Sequence, residues 1–165
     1  MVSCDLENFG CQGGFLINSI DYLVSEGVVE EDCMPYQEGD TKCTFACTAP
    51  HKYQKHYCKR GSLKVFTTPS EIKKEVVANG PIMVGMTIYE DLFSDQEGIY
   101  EQVTGQLVGG HAVKLIGWGH DAEAGNYWIC QNQWSDKWGE KGFFKIKHGE
   151  VGIDAMGMSC EPDII

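Results

Sequence analysis

The sequence predicts an α+β fold in which helices and loops come first and an antiparallel sheet follows. Two segments before residue 80 carry apolar residues at helical spacing, whereas from residue 82 onward the apolar period becomes two, which is typical of strands with one buried face. The 165 residues suffice for one ordinary domain or for two small lobes. We therefore expect a loop-rich part at residues 1–62 and a sheet part at residues 63–165.

The first helix is predicted over residues 13–25, because apolar side chains recur there at spacings of three and four and Gly27 can end the helix. These side chains are Leu16, Ile20, Leu23 and Val24. A second helix begins near Pro69, which suits a first helical turn, and ends at Gly80. Residues 30–62 lie between the two and carry Cys, Pro and Gly with little periodicity. They predict a cross-linked loop region.

Five strands are predicted after the second helix. The first places four alternating apolar side chains on one face: Ile82, Val84, Met86 and Ile88. The others are expected at residues 98–103, 111–118, 127–133 and 142–148, separated by turns that are rich in glycine. Because helices and strands occupy different parts of the chain, the class is α+β rather than alternating α/β.

The acidic composition argues against several classes of function. Thirteen Lys and Arg residues stand against 24 Asp and Glu residues, which gives a formal net charge of −11. A nucleic-acid partner needs a basic face, so none is expected. No apolar run approaches the roughly 20 residues of a membrane span, and none is predicted. The polar residues 1–10 resemble neither a signal peptide nor a transit peptide.

Eight cysteines are present, five of them between residues 11 and 58. Such density indicates an oxidising compartment with disulfides across the loop-rich part. Zinc binding is the alternative, because a run of five soft donors occurs there: Cys43, Cys47, His51, His56 and Cys58. Their spacing fits no common zinc finger. We favour disulfides and expect no metal and no cofactor.

Two polar residues in the sheet part are candidates for chemistry. His111 follows two glycines at the start of an apolar strand, and Asn132 precedes Gln133 and Trp134. A histidine can act as a general base near neutral pH, and an amide oxygen can orient its ring. The alternative is a strand-edge histidine whose ring bonds to the backbone, since a single histidine is not a motif.

Five short motifs occur in one order along the chain. They are residues 11–14 (CQGG) before a helix, 79–81 (NGP), 109–113 (GGHAV), 117–119 (GWG) and 132–139 (NQWSDKWG). Together they closely resemble the papain family of cysteine peptidases, and most of all its cathepsin B branch. Residues 33–36 (CMPY) and 39–43 (GDTKC) strengthen that likeness. The resemblance implies a papain-like two-lobe fold with a barrel-like antiparallel lobe complete and a helical lobe truncated on its N-terminal side.

The resemblance also implies roles for individual residues. His111 would be the catalytic base and acid, Asn132 its orienting partner, and Trp134 a shield over the pair. Gly13 and Gly14 would pair with an extended substrate backbone. A substrate pocket would be lined by Leu16, Gly85, Ala112 and Met156. All four lining residues are apolar, which predicts a preference for large apolar substrate side chains.

Three further implications concern cysteines and histidines. Cys4 would pair with Cys43, and Cys33 with Cys47, while Cys11 would pair with a cysteine in a segment outside these residues. The resemblance gives no partner for Cys58 or Cys160, and a bridge between these two is possible. The family nucleophile lies upstream of the position matching Cys11, so the thiol is expected from a complementing segment. Nine residues separate Cys33 from Cys43 and none is His, whereas the branch's carboxydipeptidases carry two there, so endopeptidase activity is expected.

Two hypotheses follow. In the first, the chain is part of a cathepsin B-like cysteine peptidase, lysosomal or secreted, that cleaves polypeptides only with a complementing segment. In the second, it is a catalytically dead peptidase fold that binds a protein partner, in an intracellular assembly if Met1 is the true start. Gln133, where the family usually has serine, favours the second. In either case the apolar stripe of the first helix would lie in water if the chain were alone, so the chain is expected to occur only with a partner, linked through Cys11 or packed on that helix.

Overall fold

The computed structural model describes residues 1–48, 50 and 52–163, which form two compact units. The first unit comprises Met1–Leu63 and Cys160–Ile165, and the second comprises Lys64–Ser159. In chain order the elements are α1 (Leu16–Ser25), β1 (Tyr57–Cys58), β2 (Lys64–Phe66), α2 (Pro69–Asn79), β3 (Ile82–Tyr89), β4 (Ile99–Tyr100), β5 (Leu107–Asp121), β6 (Gly125–Gln131), β7 (Phe143–Lys147), β8 (Gly157–Ser159) and β9 (Pro162–Asp163), with 3₁₀ turns at Gly10–Gln12, Glu90–Ser94 and Glu150–Gly152. Neither helix of the described chain is long and apolar enough to cross a bilayer.

The helix α1 of the first unit begins later than its sequence pattern predicts. Gly13 has a φ of 97°, a conformation that favours glycine, and Phe15 is extended at the N-cap position. The predicted apolar stripe is not left in water: Ile20 is only 4% exposed and the other stripe residues are half-buried. That expectation is therefore wrong, and the exposed apolar residues of the helix and its N-cap are instead Phe15 and Ile17.

Three disulfides cross-link the first unit. Cys4–Cys43 and Cys33–Cys47, the pairs that the family resemblance implies, are confirmed. A third bridge, Cys58–Cys160, joins two segments whose short strands β1 and β9 pair antiparallel. Three of the five candidate zinc donors are thus disulfide sulfurs, and His51 lies outside the described residues. Among the described residues no group of three or more His, Cys, Asp and Glu could hold a metal ion.

The second unit is built on a seven-stranded sheet with the strand order β2-β8-β3-β5-β6-β7-β4. All neighbouring pairs are antiparallel except β4 and β7, which run parallel. Within the described residues the outer strands β2 and β4 do not pair with each other, so the sheet is open and does not close into a barrel. The α+β class is confirmed, with two α-helices and one large sheet in the part of the chain that the structure describes.

Alternation along the strands creates the core of the second unit. Every second residue of β3 is buried, as the period of two predicts. The helix α2 starts with a capping box, in which the Thr68 hydroxyl accepts from the Glu71 N–H and donates to the Glu71 carboxylate. Its Ile72 is fully buried in the same core as Leu115 of β5 and Trp128 of β6. This core fixes β5 and β6, the strands that carry the candidate site.

Candidate active site

The candidate residues His111 and Asn132 are placed by adjacent antiparallel strands. His111 lies within β5, where it pairs with Met86 of β3, and Asn132 follows the last residue of β6. The β5–β6 ladder ends at the pair Lys114 and Gln131. His111 and Asn132 both lie just beyond this last pair, so two residues that are 21 positions apart in the chain meet here.

A hydrogen bond of 2.8 Å joins His111 Nε2 and Asn132 Oδ1. The same oxygen accepts a 2.9 Å hydrogen bond from the backbone N–H of Gln133. A backbone N–H can only donate, so the amide atom that it contacts must be the oxygen. His111 Nε2 must then carry a proton and donate it to that oxygen. In the neutral ring, Nδ1 is therefore the atom with a free lone pair.

Aromatic rings cover this pair. Trp134 stacks on His111 with ring centroids 4.9 Å apart and an interplanar angle of 30°. Phe93 stacks on Trp134 at 4.9 Å, and Trp138 meets Trp134 edge-on at 5.0 Å. Trp138 is itself fixed, because its Nε1–H donates to the Leu92 carbonyl at 3.2 Å. Apolar rings exclude water, which strengthens the electrostatic interaction of the groups beneath them.

Asn132 is held by its backbone and is 7% exposed. Its N–H donates to the Gly142 carbonyl at 2.9 Å. Its Nδ2 is buried and has no hydrogen-bond partner among the described residues. Only the oxygen end of the amide is thus engaged, by His111 and by the Gln133 N–H. The arrangement can hold an imidazole in one tautomer and let Nδ1 take a proton from an acid placed beside it.

Comparison with known proteins decides the family. The sequence profile of the papain family of cysteine proteases matches residues 1–161. The chain belongs to the papain family.

Several cathepsin B-like members of this family are similar to the chain. It is 38% identical over 164 residues to cathepsin B-like protease 1 of Arabidopsis thaliana, covering 88% of the chain and 43% of that protein. It is 39% identical to cathepsin B-like cysteine proteinase 3 of Caenorhabditis elegans, covering 86% and 44%. Its fold matches procathepsin B S9 of Trypanosoma congolense with a TM-score of 0.88 at 30% identity, covering 99% of the chain and 59% of that structure. The chain therefore spans about half the length of these relatives.

The predicted substrate-binding residues of this papain-family chain, the four pocket residues and the two backbone-pairing glycines, fall into both units. Gly85 of β3 and Ala112 of β5 are register partners, and the Gly85 N–H donates to the Met156 carbonyl at 3.4 Å. The second unit thus brings these three together. Gly13, Gly14 and Leu16 lie in the first unit, just before and at the start of α1. The complete pocket stays a prediction.

The two cysteines outside disulfides differ from a papain-family nucleophile, which needs a lowered pKa. Cys11 is exposed, and hydrogen bonding to the Asp40 carboxylate raises the pKa of its thiol. Cys130 is fully buried in the core, and burial raises the pKa of its thiol far above the ordinary value. Neither has the environment that stabilises a thiolate.

Two contacts of the site are absent from the sequence-based prediction. Phe93 stacks on Trp134 from a 3₁₀ turn, which has neither the alternation of a strand nor the apolar period of an α-helix. The Gln133 side chain donates through Nε2 to the Ala112 carbonyl at 3.1 Å. The only available signal for Gln133 was its departure from the serine that the family usually has at this position.

Proposed function

We propose that the chain carries the acid–base half of the active site of a cathepsin B-like cysteine endopeptidase. His111 is the general base and acid, Asn132 orients it, and Trp134 shields the pair. The observation that carries this proposal is the 2.8 Å hydrogen bond from His111 Nε2 to an Asn132 oxygen whose identity is fixed by the Gln133 N–H. It leaves Nδ1 free to accept a proton, as the reaction requires.

The reaction begins when His111 Nδ1 takes the proton of a cysteine thiol. The thiolate attacks the carbonyl carbon of a peptide bond, and the resulting imidazolium returns the proton to the leaving amine as the C–N bond breaks. Water, deprotonated by the same ring, then hydrolyses the thioester and regenerates the thiol. The thiol itself belongs to a polypeptide segment outside these 165 residues, because Cys11 and Cys130 both have raised pKa values.

Substrates are polypeptides cleaved internally. Gly13 and Gly14 pair with the substrate backbone, and the part of the pocket that Gly85, Ala112 and Met156 line in the second unit takes a large apolar side chain. The three disulfides support an oxidising compartment, such as the lysosome or the extracellular space. The exposed Phe9 and Phe15 rings, in edge-to-face contact at 6.2 Å, support a protein partner on the first unit.

The test combines the chain with a thiol-bearing segment and measures internal cleavage of peptides. The segment is the part of the Arabidopsis relative that this chain does not match. We expect the two-part enzyme to cleave, and His111→Ala to lower kcat by about 100-fold or more, the usual contribution of general acid–base catalysis. His120→Ala is the matched control, because His120 also contacts an Asn side chain across β5 and β6, through Nδ1 to Asn126 at 3.0 Å, but is exposed.

Two results would contradict the proposal. Equal losses of kcat in His111→Ala and His120→Ala would show that His111 is not the general base and acid. A complemented wild-type chain that binds the segment but neither cleaves peptides nor reacts with an epoxide thiol inhibitor would favour the alternative, a catalytically dead peptidase fold that binds a protein partner.

A second experiment tests the pocket. Met156→Glu places a carboxylate at a position that is apolar in this chain, and we expect preference in the complemented enzyme to shift from large apolar residues toward Arg. A change of one methylene-sized group in such a pocket is worth about 1–3 kcal/mol of discrimination. Ratios of kcat/KM for paired Phe and Arg peptides measure the shift. A wild-type enzyme that already prefers Arg would refute the pocket assignment.

A further inference from the structure

We propose that Gln133 is a positioning residue that keeps His111 in its reactive tautomer. This role rests on the proposed function of His111. Gln133 is exposed and does not contact the imidazole in any described interaction, yet it makes one hydrogen bond on each side of the pair. Its backbone N–H donates to Asn132 Oδ1, and its side-chain Nε2 donates to the carbonyl of Ala112, the residue after His111.

The register of β5 and β6 explains how the two hydrogen bonds of Gln133 arise. Lys114 faces Gln131 at the end of the ladder, so the same register places Ala112 opposite Gln133. In a continued antiparallel ladder, the backbone N–H of Gln133 would be available to the neighbouring strand. Here that N–H turns to the Asn132 side chain, and the Gln133 side chain bonds to the Ala112 carbonyl instead. The Gln133 side chain thus continues the contact between the two strands by two residues beyond the pair Lys114 and Gln131, next to the site.

The hydrogen bond from the Gln133 N–H has a chemical consequence for the Asn132 amide. Its Nδ2 is buried without a partner in the described chain, so no bond at that end fixes which way the amide faces. The Gln133 N–H is the contact that selects the oxygen for His111 Nε2. If the Gln133 backbone moves, the amide can rotate by half a turn and present Nδ2 to the ring.

A rotated amide would reverse the proton positions on His111. An amide NH₂ donates, so Nε2 would have to accept and the proton of the neutral ring would reside on Nδ1. In that tautomer Nδ1 cannot take a proton from a thiol. Holding the wrong tautomer is an established way to lose catalysis while the fold stays intact. The Gln133–Ala112 bond therefore prevents this loss by anchoring the Gln133 backbone.

The experiment compares Gln133→Ala and Gln133→Glu with the wild type. Both remove the donor to the Ala112 carbonyl, but only glutamate keeps the length of the side chain and adds charge. Gln131→Glu is the control, since it adds the same charge two residues earlier, within β6. The chain is labelled with ¹⁵N at histidine, combined with the unlabelled thiol-bearing segment, and studied by NMR at pH values where the imidazole is neutral.

We expect the wild type and Gln131→Glu to show His111 protonated on Nε2, and both Gln133 variants to show a mixture with the Nδ1-protonated ring. In peptide cleavage, kcat should fall roughly threefold to tenfold with KM unchanged, which corresponds to the loss of one neutral hydrogen bond. An unchanged tautomer in both Gln133 variants would overturn the proposal, whatever their activity. A changed tautomer in a complex that never cleaves peptides would support the positioning role and reject the proposed peptidase function.

Discussion

The two units of this chain are stabilised in different ways. In the second unit a continuous apolar core spans α2 and the central strands, and it includes Leu115, Trp128 and Phe144. Among the described residues of the first unit, the buried apolar side chains are Ile20, Cys33 and Cys58, and two of these are disulfide-bonded. The candidate pair His111 and Asn132 therefore lies in a unit stabilised by apolar burial, whereas the predicted substrate-facing glycines lie in one stabilised largely by disulfides.

The sequence offers a direct way to observe the second unit separately. All four tryptophans lie between Lys64 and Ser159: Trp118, Trp128, Trp134 and Trp138. Tryptophan fluorescence thus reports unfolding of the second unit alone, and proteolysis at residues 1–63 reports the first. Both signals can be followed on the purified chain.

The largest effect is expected from the two disulfides confined to residues 4–47. Replacing Cys4, Cys43, Cys33 and Cys47 by serine removes bridges that close 39 and 14 residue separations. Each is worth about 2–4 kcal/mol in the free energy of unfolding. We expect protease cleavage within residues 1–63 to accelerate strongly, while the tryptophan transition of the second unit keeps its midpoint.

The third bridge supplies the control for this prediction. Cys58–Cys160 closes a separation of 102 residues that contains the whole second unit. Replacing both cysteines by serine should therefore lower the tryptophan midpoint, because the unfolded second unit gains chain entropy. If the four-serine variant lowers that midpoint as much as this one does, the two units are not stabilised independently and the comparison fails.

The limits of sequence reasoning also differ between regions. Both α-helices of the described residues were predicted, and all five predicted strands occur, since apolar periods and the glycine-rich turns between segments mark them. The strand predicted at residues 98–103 shrinks to Ile99–Tyr100, because the N–H groups of Val103 and Thr104 donate to the Asp91 carboxylate instead of to a neighbouring strand. The short strands β1, β2, β8 and β9 were missed, because two or three residues are too few to show a period.

At the candidate site, too, sequence motifs predicted the residues but not all of their contacts. His111, Asn132 and Trp134 could be named from motifs, and the structure brings all three together. The strand predicted to reach residue 133 ends at Gln131, because the Gln133 N–H bonds to the Asn132 side chain rather than across the sheet. A side chain that replaces a backbone donor leaves no periodic signal in the sequence. Its role emerges only from the register.

The smallest expected effect is a pH dependence that belongs to the second unit. The His148 ring stacks on Trp128 at 4.1 Å, and its Nε2 is buried without a partner in the described chain. The Lys73 ammonium lies 5.5 Å from the centre of the same Trp128 ring. Burial and the Lys73 charge lower the pKa of His148 below its ordinary value of 6.5, and the Asp154 carboxylate offsets this only in part.

Because the folded pKa of His148 lies below the unfolded one, the unfolded chain binds the proton more tightly. Its contribution to stability is complete above pH 6.5 and is lost as the pH falls through the folded pKa. His148→Phe keeps an aromatic ring on Trp128 but cannot titrate. We expect the tryptophan midpoint of the wild type to fall relative to that of His148→Phe as the pH drops below 6.5. The loss should be smaller than that from the Cys58–Cys160 bridge, because the ring is partly exposed and its charge is partly screened. If the two midpoints stay parallel at every pH, His148 does not cause the pH dependence of stability, and protonation of its ring does not destabilise the second unit.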